Sequence, residues 1–467
     1  MPSLPVGPRL RPDRVIPDPM TMIRRPLAAA ATLTLTLALA AWPAAGEDLL
    51  QIYREAQQAD PAIAAAKAAW EAAQEKAPQA RAGLLPNVSA TASGNLYNYD
   101  ATIKSDPQVD INRNFHQLTG AISASQPLYR YQNRVFYDQA KQQVEQSEYV
   151  LAVARQDLIV RVAVTYFDVL LAQYNIELAN AQKEAVSQQL AQAKRNFEVG
   201  VATITDTNEA QAKYDAIVAQ EITTRNEYEN RITALRAIIG RLPKELKKLG
   251  GGYEPALPDP DSADAWVERA LKENLNVRIA QYNLEIAKLE VERAKGGHYP
   301  TLDLVGSYSA QGSNAAVNSD VASNQRTALV GLQLTVPIYQ GGFVDSRVRE
   351  ALALLDKSRQ DLEGARRAAL FQAQTGFAGV TNAAASIKAF EQAVVSAETA
   401  LSSNILGQEV GVRTSLDVLN VRQNVFSTRR DLAQAYFAYI IGVLRLKSAV
   451  GSLTDADVEE INRRLKG

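Results

Sequence analysis

Apolar residues recur over long stretches of the chain in alternating steps of three and four. Val169, Ala172, Ile176, Ala179, Lys183, Val186, Leu190, Ala193 and Phe197 form one such series. This is the spacing of a coiled-coil seam, with Lys183 its one polar intruder. Shifted by 211 residues, the register falls on Val380, Ala383, Ile387, Phe390, Val394, Ala397, Leu401, Asn404 and Gln408, so the seam is duplicated and turns polar toward its second end. Many seam positions are Ala, which lets neighbouring backbones approach closely. Residues 131 to 197 contain no Pro, and at 1.5 Å per residue they predict a helix of roughly 100 Å. Residues 342–408 predict its counterpart. Segments 48–80 and 203–240 are each about half as long, so stacked end to end they match one long helix and complete an antiparallel wall. Gly200 and Gly411 suit the left-handed residue that ends a helix, and Thr203 and Thr414 can cap the next, with Asp206 and Asp417 three residues on. Two tight helical hairpins are expected.

Between the helices the period changes to two. Val330, Leu332, Leu334, Val336 and Ile338 alternate with Gly331, Gln333, Thr335 and Pro337. Leu302, Leu304 and Tyr308 alternate with Asp303 and Ser307, Ile122, Ala124 and Leu128 with Ser123 and Ser125, while Val88, Ala90 and Ala92 mark a weaker strand. Polar loops at 98–114 and 312–325 join them into two hairpins. Strands of about 10 residues fit an outer-membrane barrel, but hydrocarbon tolerates only a closed cylinder, which needs about 8 strands or more. Four from one chain are too few. Either copies pool their strands, or the strands pack in water against something else, such as the chain's own helices.

The order of features repeats along the chain. Residues 85–88 (Leu-Pro-Asn-Val) answer to 299–302, 126–129 (Gln-Pro-Leu-Tyr) to 336–339, and 199–203 to 410–414, with Asp206 falling on Asp417. The expected organisation is a first repeat over 47–241, a Pro- and Gly-rich linker over 242–261, a second repeat over 262–452 and a C-terminal segment over 453–467. Ahead of these, Arg24 and Arg25, an apolar run over 27–41 and the small residues Ala44, Ala45 and Gly46 follow the order of a secretory signal peptide, residues 1–46, with cleavage before Glu47. Residues 1–19 are rich in Pro and Arg, which suggests a translated start at Met20 or Met22. No later stretch has 18 consecutive apolar residues, so no transmembrane helix is expected.

Composition narrows the chemistry. With 50 Lys plus Arg against 51 Asp plus Glu, the net charge of −1 argues against nucleic acid as a partner. The chain has no Cys, which removes disulfides, thiolate metal sites and a Cys nucleophile. Its two His, His116 and His298, show no ligand spacing, and no P-loop, Gly-x-Ser-x-Gly or dinucleotide motif is present. An enzyme is not expected, nor a cofactor or a metal, so energy for any transport must come from a partner.

Residues 336–342 (Val-Pro-Ile-Tyr-Gln-Gly-Gly), 300–304 (Pro-Thr-Leu-Asp-Leu), 411–419 (Gly-Val-Arg-Thr-Ser-Leu-Asp-Val-Leu), 204–206 (Ile-Thr-Asp) and 447–451 (Lys-Ser-Ala-Val-Gly) resemble the TolC family of outer-membrane efflux and secretion proteins, over about 47–465. The resemblance implies a mainly α fold with membrane β: a homotrimer whose long antiparallel helices form an α-helical barrel through the periplasm, while four strands per chain make one 12-stranded β-barrel in outer-membrane lipid. It further implies an irregular equatorial belt, including 243–263 and the C-terminal segment. The missing Cys after the signal peptide is closer to the TolC branch than to lipidated relatives. By the same resemblance, a periplasmic adaptor protein meets the tip at Val199, Gly200, Val201, Val410, Gly411 and Val412, and an inner-membrane transporter engages with it. Asp417 matches a position where carboxylates ring the aperture, and the second ring position is occupied by Asn420. Arg413, Thr205 and Asp206 match positions that link neighbouring helices at the gate, and Gln408 replaces the tip tyrosine.

Asp417 also has a purely structural reading, since a carboxylate in the first helical turn caps the helix and interacts with its dipole. Three such groups around a narrow axis would repel one another, which a cap alone does not justify. The expected function is a passive exit duct of an efflux pump or type I secretion system, gated by splaying of the tip hairpins. An exported coiled-coil scaffold or adhesin without a pore is the rival, and a periplasmic adaptor a third reading. The duplicated amphipathic strand pairs weigh against the first, and the absence of a small β-rich module against the second.

Overall fold

The computed structural model of the chain describes residues 46–104, 106–250, 254–316 and 321–466. The expected signal peptide lies outside the described residues except for Gly46. Elements appear in the order α1 (Leu49–Ala59), α2 (Pro61–Gln74), α3 (Lys76–Ala82), β1 (Asn87–Ile103), β2 (Val109–Tyr129), α4 (Tyr131–Glu198) and α5 (Ile204–Ile239). There follow β3 (Lys248–Leu249), α6 (Ala263–Glu273), α7 (Leu275–Lys295), β4 (Thr301–Ser313), β5 (Ser323–Thr335), α8 (Phe343–Glu409), α9 (Ser415–Ala449), α10 (Asp455–Asn462) and β6 (Leu465–Lys466). The series helix, strand pair, long helix, shorter helix thus occurs twice.

The 68 residues of α4 and 67 of α8 make rods of about 100 Å. Along its first half α4 lies between the short helices α2 and α3 on one side and α7 on the other, and along its second half between α5 and α9. α7 and then α9 also flank α8. The helices therefore form one layer rather than a closed bundle, and large apolar side chains of α8 stay exposed on it, Phe371 by 65% and Val395 by 55%.

The largest core sits where the upper and lower helices meet. Phe167 and Tyr166 are fully buried there, Phe167 against Phe437 with ring centroids 5.3 Å apart. The Tyr166 hydroxyl donates to the carbonyls of Lys247 (2.8 Å) and Glu47 (3.2 Å), joining the middle of α4 to the irregular segment after α5. Arg241 donates to Glu47 (2.7 Å) and Glu55 (2.6 Å), and β3 pairs antiparallel with β6, so both ends of the described chain are fastened at this belt.

Helix starts account for the two long-helix neighbours. Asp60 accepts from the N–H groups of Ala62 (2.6 Å) and Ile63 (3.2 Å) with Pro61 in the first helical position, and Asn274 accepts from Val277 (3.0 Å) at the start of α7. Asp60 is buried, and Arg161 meets it at 2.9 Å. Asn274 instead donates to the Ala449 carbonyl at 2.7 Å. Burial alone would push the Asp60 carboxyl up, but Arg161 and the two N–H donors outweigh it and hold it below its ordinary 3.8. Its contribution to stability is therefore present above that pH and is lost as pH falls through the folded value. Asp60→Asn, which reproduces the residue used in the second half, should keep the cap, cost under about 1 kcal/mol and remove this acid sensitivity, whereas Asp60→Ala should cost about 1 to 2 kcal/mol. Thermal unfolding in detergent between pH 3 and pH 7 measures both.

Candidate functional site

The four long strands form one antiparallel sheet in the order β1-β2-β4-β5. Its register sorts the side chains cleanly. Val88, Ile122, Tyr308 and Ala328 share a face with Leu118, Leu304, Leu332, Leu334 and Val330. These side chains are exposed, Val330 by 82% and Val88 by 67%. The opposite face carries Ser89, Thr91, Ser93, Thr119, Ser123, Ser307, Ser309, Thr327 and Gln333, with Val305 and Leu329 as departures. At about 3.4 Å per residue, strands of 13 to 21 residues exceed the length that a tilted strand needs to cross hydrocarbon. The expected loop at 98–114 is mostly strand, since pairing continues to Ile103↔Val109. Only the apolar alternation stops there, because strand beyond a membrane is wetted on both faces while its ladder persists.

Both edges of the sheet, β1 and β5, lack a strand partner among the described residues. An edge in hydrocarbon leaves N–H and C=O groups unsatisfied at several kcal/mol each. The sheet can enter a membrane only when further strands cover those edges.

At the foot of the polar face, Arg130 grips Asp303 bidentately, at 2.8 and 2.7 Å. Arg130 is the residue between β2 and α4, and the β2–β4 register slips between Pro127 and Tyr129 just before it. The pair fixes the angle at which the long helix leaves the sheet. The alternating pattern placed Asp303 on the polar side of its strand; what it lacked was any sign that Arg130, distant in sequence, would meet it.

At the other end of the long helices the two turns repeat atom for atom in their hydrogen bonds. Val201 N–H donates to the Asn196 carbonyl (2.9 Å) and Val412 N–H to the Gly407 carbonyl (2.8 Å), while Gly200 and Gly411 adopt φ of 79° and 77°. Thr203 and Asp206 form a capping box at the start of α5, and Thr414 and Asp417 another at the start of α9. In the second, the Asp417 carboxylate accepts from the Thr414 N–H and hydroxyl, each at 2.9 Å. The N–H bond chiefly, then the hydroxyl and Arg413, hold this carboxyl's pKa below the ordinary 3.8. Val199, Val201, Val410 and Val412 project from the turns, each at least 67% exposed.

The other expected gate residues are distributed around these turns. Arg413 folds across Gly407, where a Cβ would lie 2.8 Å from the Arg413 Cγ, so that glycine makes room for the guanidinium stem. Thr205 is exposed in the first turn of α5, beside Asp206. Among the described residues of a single copy, no ion pair joins Arg413 to Asp206. Asn420 lies within 3.5 Å of the Lys213 ammonium, and Lys213 and Arg422 line the same interhelical groove. The Lys213 ammonium on α5 therefore stands beside the position one turn on from Asp417, a feature that no spacing in the sequence announced, because it depends on which helices become neighbours.

A family model described as "Outer membrane efflux protein" matches residues 52–241 and 266–452. The outer membrane protein TolC of Vibrio cholerae is 34% identical over 433 residues, covering 92% of this chain and 96% of that protein. The proteases secretion protein PrtF of Dickeya chrysanthemi is 30% identical over 440 residues, covering 92% and 94%. Among solved structures, the Campylobacter jejuni CmeC outer membrane channel superposes with a TM-score of 0.75 at 17% identity, covering 90% of each chain, which speaks to the fold.

The capping geometry of Asp417 yields an acid-sensitive tip. A lowered folded-state pKa means that the stabilisation is complete above 3.8 and disappears as pH falls through the folded value. Amide protection in the first turn of α9, with exchange taken relative to the unstructured chain at the same pH, should fall on acidification below that pH, and Asp417→Asn should flatten this dependence. An unchanged acid response in the variant would remove the cap as its cause.

Proposed function

The chain belongs to the outer membrane efflux protein family, the family of TolC, and from that membership we propose that it is the outer-membrane exit duct of a tripartite efflux pump or a type I secretion system. The observation that carries this reading is the open-edged sheet with one apolar face, set above rods of about 100 Å. Three copies contributing four strands each make a cylinder within the size range of outer-membrane barrels. The same three copies cover one another's exposed α8 flank and continue the helical layer into a tube.

In this reading the apolar strand face meets lipid and the hydroxyl and amide face lines water. Conduction is passive, with the energy supplied by an inner-membrane transporter. The valine-flanked turns at Gly200 and Gly411 meet a periplasmic adaptor, whose engagement splays the hairpins. Asp417 of each copy faces the axis at the narrow end, where the three carboxylates attract cations, and Asn420 adds no second ring. Arg413 reaches Thr205 and Asp206 of the neighbouring copy when the tip is closed, links that a single copy leaves unmade. A pore-less scaffold has no use for the apolar strand face.

The test is conductance across a planar bilayer. The purified protein should form long-lived channels blocked by trivalent cations from the periplasmic side. Asp417→Ala should weaken that block by about tenfold or more, a change readily resolved as a shift in apparent affinity. Unchanged conductance together with unchanged block would remove Asp417 from the aperture.

A further inference from the structure

Directly beneath the sheet, the first turns of α4 and α8 and the last turn of α7 enclose a cavity of about 490 Å³. Its chemistry differs from that of the polar foot of the sheet, where Arg130 and Asp303 satisfy each other. The Arg293 guanidinium lies over the Phe136 ring at 5.7 Å and is held by Glu290 through two bonds of 2.8 and 2.7 Å. The Arg347 guanidinium lies over the Phe343 ring at 5.5 Å. Neither Arg347 nor Glu350, one turn further along α8, has an ion-pair partner within 4.0 Å among the described residues. Phe343 is 60% exposed and Phe136 42%.

We propose that this cavity is a phospholipid site that selects a zwitterionic headgroup bearing a primary ammonium, with the phosphate on Arg347 and the ammonium on Glu350. Three observations converge on that occupant. The first is level. Arg347 lies about 6 Å along α8 from its first residue, and only the segment 336–342 separates that helix from the end of β5, so the cavity follows directly on the strand face that enters hydrocarbon. The second is continuity. Past the end of β5 the exposed Val336 and Ile338, the latter by 95%, lead toward Gln340, which lines the cavity, and supply a track for an acyl chain. The third is charge. Arg347, whose charge also reaches Glu290, and Glu350 stand one helical turn apart with no direct ion pair among the described residues, and a purely anionic headgroup would satisfy the first while opposing the second. A guanidinium already stacked on an aromatic ring is pre-oriented toward phosphate, so little ordering entropy is lost on binding. Aromatic rings at the boundary of the hydrocarbon are where amphipathic side chains gather on membrane proteins.

The site rests on the sheet's placement in the outer membrane, which channel conductance reports separately. The experiment is native mass spectrometry of the full-length protein taken from bilayer discs of phosphatidylethanolamine, phosphatidylcholine or phosphatidylglycerol. Phosphatidylethanolamine should be retained about tenfold more than the other two. Arg347→Gln and Glu350→Gln should each abolish that preference while leaving single-channel conductance intact, which also shows that the variants fold. Equal retention of the three lipids by the unaltered protein, or an undiminished preference in both variants, would overturn the proposal. A Phe343→Trp variant separates the faces of the helical layer. Its fluorescence should be quenched by lipids brominated along the acyl chain, and quenching only by an aqueous quencher would place the cavity on the water-filled side and sink the assignment.

Discussion

A strand edge immersed in hydrocarbon has no water to satisfy its backbone, and this constraint shapes everything above and below it in the molecule. The sheet β1-β2-β4-β5 presents two such edges. Among the described residues no other strand completes it, because every other long element is helical and belongs to the layer below. The demand for partners at the sheet is transmitted downward: copies arranged around an axis to close the strands must also place their helical layers side by side. The exposed apolar residues of α8 then become contact surface instead of a liability. One condition thus sets both the stoichiometry of the membrane part and the hollow form of the stalk.

The internal repeat explains how such a layer is built cheaply, and its departures show where the halves have diverged. The turns at Gly200 and Gly411 and the capping boxes after them are the same in both. Higher up they differ. In the first hairpin Lys183 crosses to Glu221 at 2.6 Å. In the second, residues 211 positions later are Val394 and Leu432, and the cross-links sit instead between Arg429 and Glu398. Partly exposed pairs of this kind add little to stability. The two hairpins are therefore alike where they end and distinct along their shafts.

Much of this was legible in the sequence because it depends on local rules. The seam from Val169 to Phe197 announced a long helix, Gly200 and Gly411 announced its end, and the alternation from Val330 to Ile338 announced a strand, which stops earlier, at Thr335 before Pro337. The contacts that orient those elements were not legible. Asp303 was visible as a polar residue on a strand, but its partner Arg130 lies 173 residues away, and only the strand order brings them together. Lys213 beside Asn420 belongs to the same class. The strands also outran their apolar pattern, since pairing near Ile103 and Val109 obeys backbone geometry after the hydrophobic signal has ended.

The polar face of the sheet has a consequence for traffic. Between Arg113 and the Arg130–Asp303 pair, its hydroxyl and amide side chains form a stretch with no unpaired charge. Such a wall offers no sticking points, so residence time on it is short for acidic and basic molecules alike. New cargo then demands no retooling of the conduit, and evolutionary pressure to discriminate falls on whatever loads it.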